Sequence, residues 1–321
     1  MSLRVDASIG IALAPTDGVD GETLMQKADV AMYHAKRTRQ SWELYAPERD
    51  IHTRARLELL SGLRDAIVGH QLVLHFQPKY EVASRTMVGV EALVRWDHPT
   101  KALLAPAEFL GLVEQSGLMD ELTLTVLDLA LRQQAAWARS GIDLTMAVNL
   151  SSVNLRDARL PEKVAYVLVR HGVTPERLVL EITEDSLVSD SQECRRVLER
   201  LRAMGVELSL DDYGTGFSTL SYLRDLPVNE LKLDRSFLVA VDNDPRAIAI
   251  IRHTFELARS LGLRIVAEGI ETEDALALVA SLGADIAQGY WLGRPVPAAD
   301  LFSAARADAP RTAPGLSPVR D

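Results

Sequence analysis

Short aliphatic runs alternate with amphipathic stretches from about residue 72 onward, the pattern of repeated βα units. The runs predict strands at residues 72–77, 87–94, 144–149, 178–182, 206–210, 230–233, 264–267 and 285–287. The amphipathic stretches predict helices at 122–139, 161–170, 194–204, 246–261 and 275–282. The helices are followed by glycines that predict their ends: Gly141, Gly172, Gly205, Gly262 and Gly283. Eight strands in roughly 230 residues fit a (β/α)₈ barrel of the TIM type. An open doubly wound sheet is the alternative, because periodicity alone does not separate the two.

The residues on either side of this region follow other patterns. Residues 8–13 predict a strand and residues 22–37 a helix, together too short to bury a core of their own. A helix at 54–68 either connects to the barrel or packs on it as an ordinary outer helix. The last residues, 307–321, are rich in Pro, Ala and Arg and are expected to be disordered. We therefore divide the chain into a small α+β fragment (1–47), a connecting helix (48–70), the barrel (71–306) and a tail (307–321).

Composition narrows the class of protein. The chain has 321 residues, 47% hydrophobic and 25% charged, as is usual for a soluble globular protein. Its net charge of −10 argues against a nucleic acid polymer as partner. No apolar stretch approaches the roughly 20 residues of a membrane span, and no signal peptide is visible, so a cytoplasmic location is expected. The single cysteine, Cys194, excludes an intrachain disulfide and a multi-cysteine zinc site.

Polar side chains recur where the predicted strands end, and this pattern is the sequence feature that most directly indicates an active site. The positions are Asn149, Glu181, Asp211 with Asp212, Lys232, Glu268 and Gln288, and Glu91 lies within the second strand. In a β/α barrel these ends meet at one mouth. Several carboxylates held close together do not all stay ionised without cations, and hard oxygen ligands favour Mg²⁺ or Mn²⁺. The adjacent aspartates would suit a pair of ions about 3.5–4 Å apart.

Each of these residues also has a structural explanation. An acidic residue after a strand is often a helix N-cap or a solvated loop charge. Lys232 could be an ordinary ion-pair partner among acids. The glycine-containing loop at 212–218 could be a simple turn, although its place after the two aspartates favours a mobile loop that positions ligands.

The string EALVRW at residues 91–96 resembles the signature of the EAL-domain phosphodiesterases. Further matching strings follow in order: VNLS (148–151), LEITE (180–184), DDYGTGFSTL (211–220), LPVNELKLD (226–234), AEGIE (267–271) and QGYWLGRPVP (288–297). The resemblance covers about residues 54–302. It implies an α/β fold, a (β/α)₈ barrel with one irregular antiparallel strand near its start.

Carried over by position, the resemblance assigns roles to individual residues. The implied metal ligands are Glu91, Asn149, Glu181, Asp211, Asp212 and Glu268, with Asp212 serving the second ion. Lys232 would hold the attacking water and help to deprotonate it, which makes Lys232, Glu91, Asp211 and Asp212 the implied catalytic set. Gln77, Leu93, Arg95 and Gln288 would line the substrate site. Glu184 would anchor the loop after the aspartates, and Glu271 would support the barrel mouth.

The first residues of the chain resemble the C-terminal end of a GGDEF (diguanylate cyclase) domain. The matching strings are ASIGIA at 7–12 and ADVAMYHAK at 28–36. The chain contains no adjacent pair of glycines, so the loop that would bind GTP is missing and no cyclase activity is expected. An upstream sensory or cyclase domain is expected in the full-length protein.

The leading functional hypothesis is hydrolysis of cyclic di-GMP to linear pGpG by a water that two ions, Mg²⁺ or Mn²⁺, activate. One alternative is a cyclic di-GMP receptor whose turnover is suppressed by its loop or domain context. Another is a different metal phosphodiesterase on the same barrel. We further expect a homodimer and no membrane segment.

Overall fold

The structure, a computed structural model, describes residues 8–37, 41–47, 54–187, 192–214, 220–239 and 245–303. The chain forms two compact units that divide between Val68 and Gly69. The predicted domain boundaries after residues 47, 70 and 306 stay predictions, and the predicted disordered tail lies outside the described residues.

Within its described residues, the N-terminal unit has two short strands and two helices. They are β1 (Ile9–Ile11), α1 (Gly21–Arg37), β2 (Trp42–Leu44) and α2 (Arg54–Val68). β1 is shorter than the predicted strand at 8–13, and it pairs in parallel with β2, which was not predicted. α1 lies close against β1, because a Cβ built on Gly10 would lie 1.9 Å from the carbonyl oxygen of Ala28.

Ten strands lie in the part of the C-terminal unit that the structure describes. They are β3 (Leu72–Glu81), β4 (Met87–Asp97), β5 (Leu103–Leu104), β6 (Thr145–Leu150), β7 (Leu178–Thr183), β8 (Glu207–Tyr213), β9 (Glu230–Leu233), β10 (Arg264–Ala267), β11 (Ile286–Ala287) and β12 (Val296–Pro297). Eight of them close a barrel in the order β3-β4-β6-β7-β8-β9-β10-β11, with β11 returning to β3. β3 is antiparallel to both β4 and β11, and the other neighbouring pairs around the barrel are parallel. The predicted barrel with one antiparallel strand is confirmed, and the open doubly wound sheet is excluded.

Helices cover the outside of this barrel. They are α3 (Pro106–Ser116), α4 (Met119–Arg139), α5 (Leu160–His171), α6 (Glu184–Leu187), α7 (Gln192–Ala203), α8 (Leu220–Asp225), α9 (Arg235–Val239), α10 (Pro245–Ser260) and α11 (Glu273–Leu282). The five predicted barrel helices are all present, whereas α3 and the short α6, α8 and α9 were not predicted. The predicted helix-ending glycines all have positive φ, as a left-handed C-terminal cap requires. α3 begins at Pro106, and the side chain of Glu108 accepts a hydrogen bond from the amide of Ala105 at 2.7 Å.

Strand β9 shows how the fold directs polar groups into the barrel. All four of its residues are buried. Leu233 packs outward in an apolar cluster with Ile251 and Phe255 of α10. Because side chains alternate along a strand, Glu230 and Lys232 share the opposite face, inside the barrel. The interior therefore holds charged groups where aliphatic layers are usual in this fold.

Among the described residues, no helix is both long enough and apolar enough to cross a bilayer.

Candidate active site

A buried lysine lies at the centre of the site. Lys232 is 1% exposed, and its Nζ lies 3.0 Å from Oε2 of Glu181, 3.0 Å from Oδ2 of Asp211 and 2.7 Å from Oε1 of Glu268. Oε2 of Glu91 is 3.8 Å away. These carboxylates come from β4, β7, β8 and the residue after β10, so the structure brings together groups spread over most of the barrel sequence. Four acids around one lysine leave an excess of negative charge.

A second lysine contacts the same cluster and was missed by the sequence analysis. Lys79 on β3 is 4% exposed, and its Nζ donates a hydrogen bond to Oε1 of Glu181 at 2.5 Å. Oε1 of Glu230 lies 4.0 Å from the same Nζ. The sequence could have predicted this contact, because side chains alternate along a strand. Lys79 shares a face of β3 with Gln77, and Glu230 shares a face of β9 with Lys232.

The charges inside the barrel shift the pKa values of the glutamates in opposite directions. Burial alone would raise the pKa of Glu181, but Lys232 and Lys79 outweigh burial and lower this pKa to about 2. Glu268 pairs with Lys232, but burial prevails and, helped by Asp211 and Glu91, raises the pKa of Glu268 to about 8. Burial, with the charge of Glu181, also raises the pKa of Glu91.

The pKa values of both lysines are raised. In each lysine burial acts to lower the pKa, but the surrounding carboxylates, Glu181 first among them, outweigh it. Lys79 and Lys232 are therefore ammonium cations across the ordinary pH range.

The two adjacent aspartates form an oxygen-rich corner with Glu268. Asp211, Asp212 and Glu268 each offer a carboxylate oxygen, and these oxygens all lie within 4.8 Å of one another. The backbone of Asp212 is left-handed, with φ of 54°, and its amide donates a hydrogen bond to Oδ1 of Asp211 at 2.9 Å. This turn lets successive residues present their carboxylates to one place. A donor set made only of carboxylate oxygens fits hard divalent cations such as Mg²⁺ or Mn²⁺.

Amide side chains fix Glu91 within the site. Asn149 donates from Nδ2 to Oε1 of Glu91 at 2.8 Å, and Gln288 donates from Nε2 to Oε2 at 2.7 Å. Gln288 also donates to Gln77 at 3.1 Å, and Gln77 donates to the carbonyl oxygen of Gly293 at 3.2 Å. Among the described residues, none donates a hydrogen bond to the buried Oε1 of Gln288. The network therefore orients Glu91.

Glu184 is the first residue of α6, directly after β7, and it contacts the loop that follows the two aspartates. It is 2% exposed, and its Oε2 accepts a hydrogen bond from the amide of Gly214 at 2.9 Å. Gly214 has φ of 97°, and a Cβ built on it would lie 2.4 Å from Cζ of Phe237, so glycine is needed here on both counts. Residues 215–219 of the loop lie outside the described residues.

A cavity of about 290 Å³ opens beside these groups. Seven predicted site residues line it: Gln77, Glu91, Leu93, Asp212, Glu268, Glu271 and Gln288. Asp234, Arg235 and Tyr290 also line it and were not predicted. Asn149 and Leu93 line a neighbouring, more apolar cavity of about 400 Å³ between the barrel, α3 and α4.

Arg95, which the resemblance places in the substrate site, has a backbone partner in this structure. Neither cavity is lined by Arg95, and its Nη1 donates to the carbonyl oxygen of Val94 at 2.8 Å. Partial burial lowers the pKa of Arg95 without bringing it out of its charged state at ordinary pH.

These features define a β/α barrel with an acidic site at its mouth, where three carboxylates could hold a metal ion. The sequence profile of the EAL domain matches residues 61–295, and that of the diguanylate cyclase, GGDEF domain, matches residues 1–41. The chain therefore belongs to the EAL domain family, with a short GGDEF segment at its N-terminal end.

Several curated proteins are similar to this chain. The bifunctional diguanylate cyclase/cyclic di-GMP phosphodiesterase MucR of Pseudomonas aeruginosa is 44% identical over 303 residues, 94% of this chain but 44% of MucR. The cyclic di-GMP phosphodiesterase NbdA of the same organism is 38% identical over 308 residues, 95% of this chain and 39% of NbdA. The chain thus spans less than half the length of these relatives.

A solved structure described as the PaMucR phosphodiesterase in complex with c-di-GMP superposes with a TM-score of 0.73 at 44% identity. The match covers 76% of this chain and 99% of that one.

Proposed function

We propose that this chain hydrolyses cyclic di-GMP to linear pGpG. The observation that carries the proposal is the arrangement of Lys232 among Glu181, Asp211 and Glu268, beside a cavity and an all-oxygen corner. The names of the relatives support the choice of substrate.

The reaction would use two divalent ions, Mg²⁺ or Mn²⁺. Asp211, Asp212 and Glu268 would hold them together with Glu91, Asn149 and Glu181. Asn149 fits this role because its Nδ2 is engaged by Glu91, which orients Oδ1 away from that contact. When bound, such ions activate a water and neutralise charge on the entering and leaving oxygens of a phosphodiester.

Lys232 would orient the attacking water. Its raised pKa keeps it protonated, so it acts as a hydrogen-bond donor and not as a base. A fixed ammonium next to the water favours loss of the water's proton, because it stabilises the negative charge that develops on oxygen. The water oxygen would then bond to phosphorus as the bond to the ribose 3′-oxygen breaks. The water's proton would pass to solvent, the leaving 3′-oxygen would take up a proton from solvent, and the ring would open.

Recognition of the substrate would use the cavity walls. Gln288 lines the cavity with an amide that would pair with the N–H donors and carbonyl acceptor of a guanine edge. Tyr290 is half exposed and is stacked with the guanidinium of Arg294 at 4.4 Å. Gln77 and Leu93 complete the wall, and Arg95 would have to turn from Val94 to reach a phosphate.

The test measures turnover and binding of cyclic di-GMP by the same purified protein, with Mg²⁺, with Mn²⁺ and with EDTA. We expect pGpG only when a metal is present. Asp211→Asn should nearly abolish turnover while the melting temperature stays close to that of the wild type. Asp128→Asn is the matched control, because Asp128 pairs with Arg170 and His171 on the barrel exterior, and it should retain full turnover.

Three outcomes would contradict the proposal. Binding without turnover in either metal would make the chain a receptor. Hydrolysis of other diesters but not of cyclic di-GMP would make it a different metal phosphodiesterase. Unchanged turnover by Asp211→Asn in EDTA would end the metal-dependent mechanism.

We also propose that the chain acts as a cytoplasmic homodimer below a sensory or cyclase domain. The GGDEF segment and the greater length of the relatives support the upstream domain.

A further inference from the structure

Lys79 has no part in the mechanism above, yet it contacts one of its acids. It does not line the cavity at the barrel mouth, and its Nζ reaches Glu181 from the barrel interior. A buried lysine this close to Glu181 limits which oxygen of this proposed metal ligand is available to an ion.

The two oxygens of Glu181 have different partners. Oε1 accepts the hydrogen bond from Lys79 at 2.5 Å, whereas Oε2 lies 3.0 Å from Nζ of Lys232, among the other carboxylates. Glu181 itself is fully buried on β7. Both oxygens thus have an ammonium nearby, but the one beside Oε2 is shared with Asp211 and Glu268, where the acids converge. Oε1 instead accepts its hydrogen bond from Lys79.

The position of Lys79 is itself held by its surroundings. β3 pairs with β4 opposite Gly89, so the backbone of Lys79 is fixed within the barrel wall. Glu230 faces the ammonium at 4.0 Å, accepts a hydrogen bond from Ser209 at 3.0 Å and lies 3.4 Å from Arg264. Lys79 is thus braced between two glutamates and is almost fully buried.

We propose that Lys79 is a positioning residue that restricts Glu181 to binding a cation through Oε2 alone, and that this favours Mg²⁺ over Ca²⁺. Calcium takes six to eight oxygen ligands and commonly binds both oxygens of a carboxylate, whereas Mg²⁺ requires near-octahedral geometry with single oxygens. Blocking Oε1 removes a ligand that only the larger ion would use. This inference rests on the proposed function, because it assumes that Glu181 binds a divalent ion.

The test compares metal affinities directly, without substrate. The double variant Lys79→Met/Glu230→Gln removes both of the charges that face each other. Glu230 is changed together with Lys79 because its buried carboxylate would otherwise lose this partner. Glu230→Gln alone is the matched control, because Lys79 still occupies Oε1 in that variant. Calorimetric titration of each purified protein with Ca²⁺ and with Mg²⁺ gives the ratio of the two dissociation constants.

We expect the double variant to shift this ratio at least tenfold toward Ca²⁺, with Glu230→Gln close to the wild type. Equal ratios in the double variant and in Glu230→Gln would overturn the inference while leaving the proposed function standing. A wild-type protein that binds neither ion would refute the proposed metal site itself.

A structure of the wild-type protein with Ca²⁺ gives a second measurement that does not depend on any variant folding. One oxygen of Glu181 on the ion and the other on Lys79 is the expected arrangement. Both oxygens of Glu181 on the ion, with Lys79 turned away, would overturn the inference.

Discussion

Replacing Lys232 by methionine should separate two roles of this lysine: it stabilises the fold by neutralising buried carboxylates, and it would orient the attacking water. Methionine keeps most of the side-chain volume and removes the charge that three carboxylates contact within 3.0 Å. Removing one partner of a buried ion pair typically destabilises a protein by about 3–5 kcal/mol. At about 2–4 °C per kcal/mol for a domain of this size, the melting temperature of the metal-free protein should fall by about 6–20 °C.

Added Mg²⁺ should reverse part of this loss, because it supplies positive charge to the same acids. Saturation at about 100 times the dissociation constant contributes about 2.7 kcal/mol. We expect a larger stabilisation by Mg²⁺ in Lys232→Met than in the wild type, since the variant has lost a cation that repels the ion. The measurement is thermal unfolding in EDTA and in saturating Mg²⁺.

Turnover should not recover with stability. If Lys232 orients the attacking water, the variant should lose about 10²–10⁴-fold in kcat with little change in KM, even in saturating Mg²⁺. Lys163→Met is the matched control, because Lys163 pairs with Asp120 and Asp157 outside the site and is more exposed. Wild-type kcat with a raised KM would refute the reasoning and make Lys232 a substrate contact.

Two further predictions concern the loop and the pH dependence. Glu184→Ala removes a charge-assisted hydrogen bond worth about 1.5–3 kcal/mol and should lower turnover and Mg²⁺ affinity together. Because Gly214 is the partner of Glu184, adding Gly214→Ala should cost less than the sum of the single losses, and strictly additive losses in kcat would contradict this coupling. The pKa of Glu268 is about 8 in the folded protein and 4.5 ordinarily, so the folded state binds this proton more tightly than the unfolded state does. In EDTA, the free energy of unfolding should therefore fall as the pH rises between these two values. The slope is at most about 1.4 kcal/mol per pH unit, and equal slopes in Glu268→Gln and wild type by urea unfolding would contradict the assignment.

The strands and most helices were predictable because their ends are marked in the sequence. Aliphatic runs define the strands, and glycines with left-handed backbone end the helices. The two-residue strands β5 and β12 carry no periodic signal, because they are too short for one. α3 was missed although Pro106 and Glu108 mark its first turn.

The site was predictable where polar residues come at strand ends, and less so inside strands. Lys79 and Glu230 were not predicted, because they lie within strands and not at the carboxyl ends where the other polar residues come. Asp234, Arg235 and Tyr290 come after strands and line the cavity, but nothing in their spacing distinguishes them from loop residues. The resemblance assigned Arg95 to the substrate site, whereas its present hydrogen bond turns it toward the backbone.

The contrast between Glu181 and Glu268 explains why two lysines are buried in an acidic site. Both glutamates are removed from water and contact Lys232, but only Glu181 also contacts Lys79. For Glu268, the charge of one lysine is outweighed by burial and the neighbouring acids, so the pKa of Glu268 rises to about 8. For Glu181, the charges of two lysines outweigh burial, so the pKa of Glu181 falls to about 2. Buried ion pairs of this kind are poor contributors to stability, since apolar residues of equal volume often do as well. Their presence inside the barrel is therefore better explained by the site, where Lys79 keeps one acid permanently charged and oriented while its neighbour remains free to gain or lose a proton.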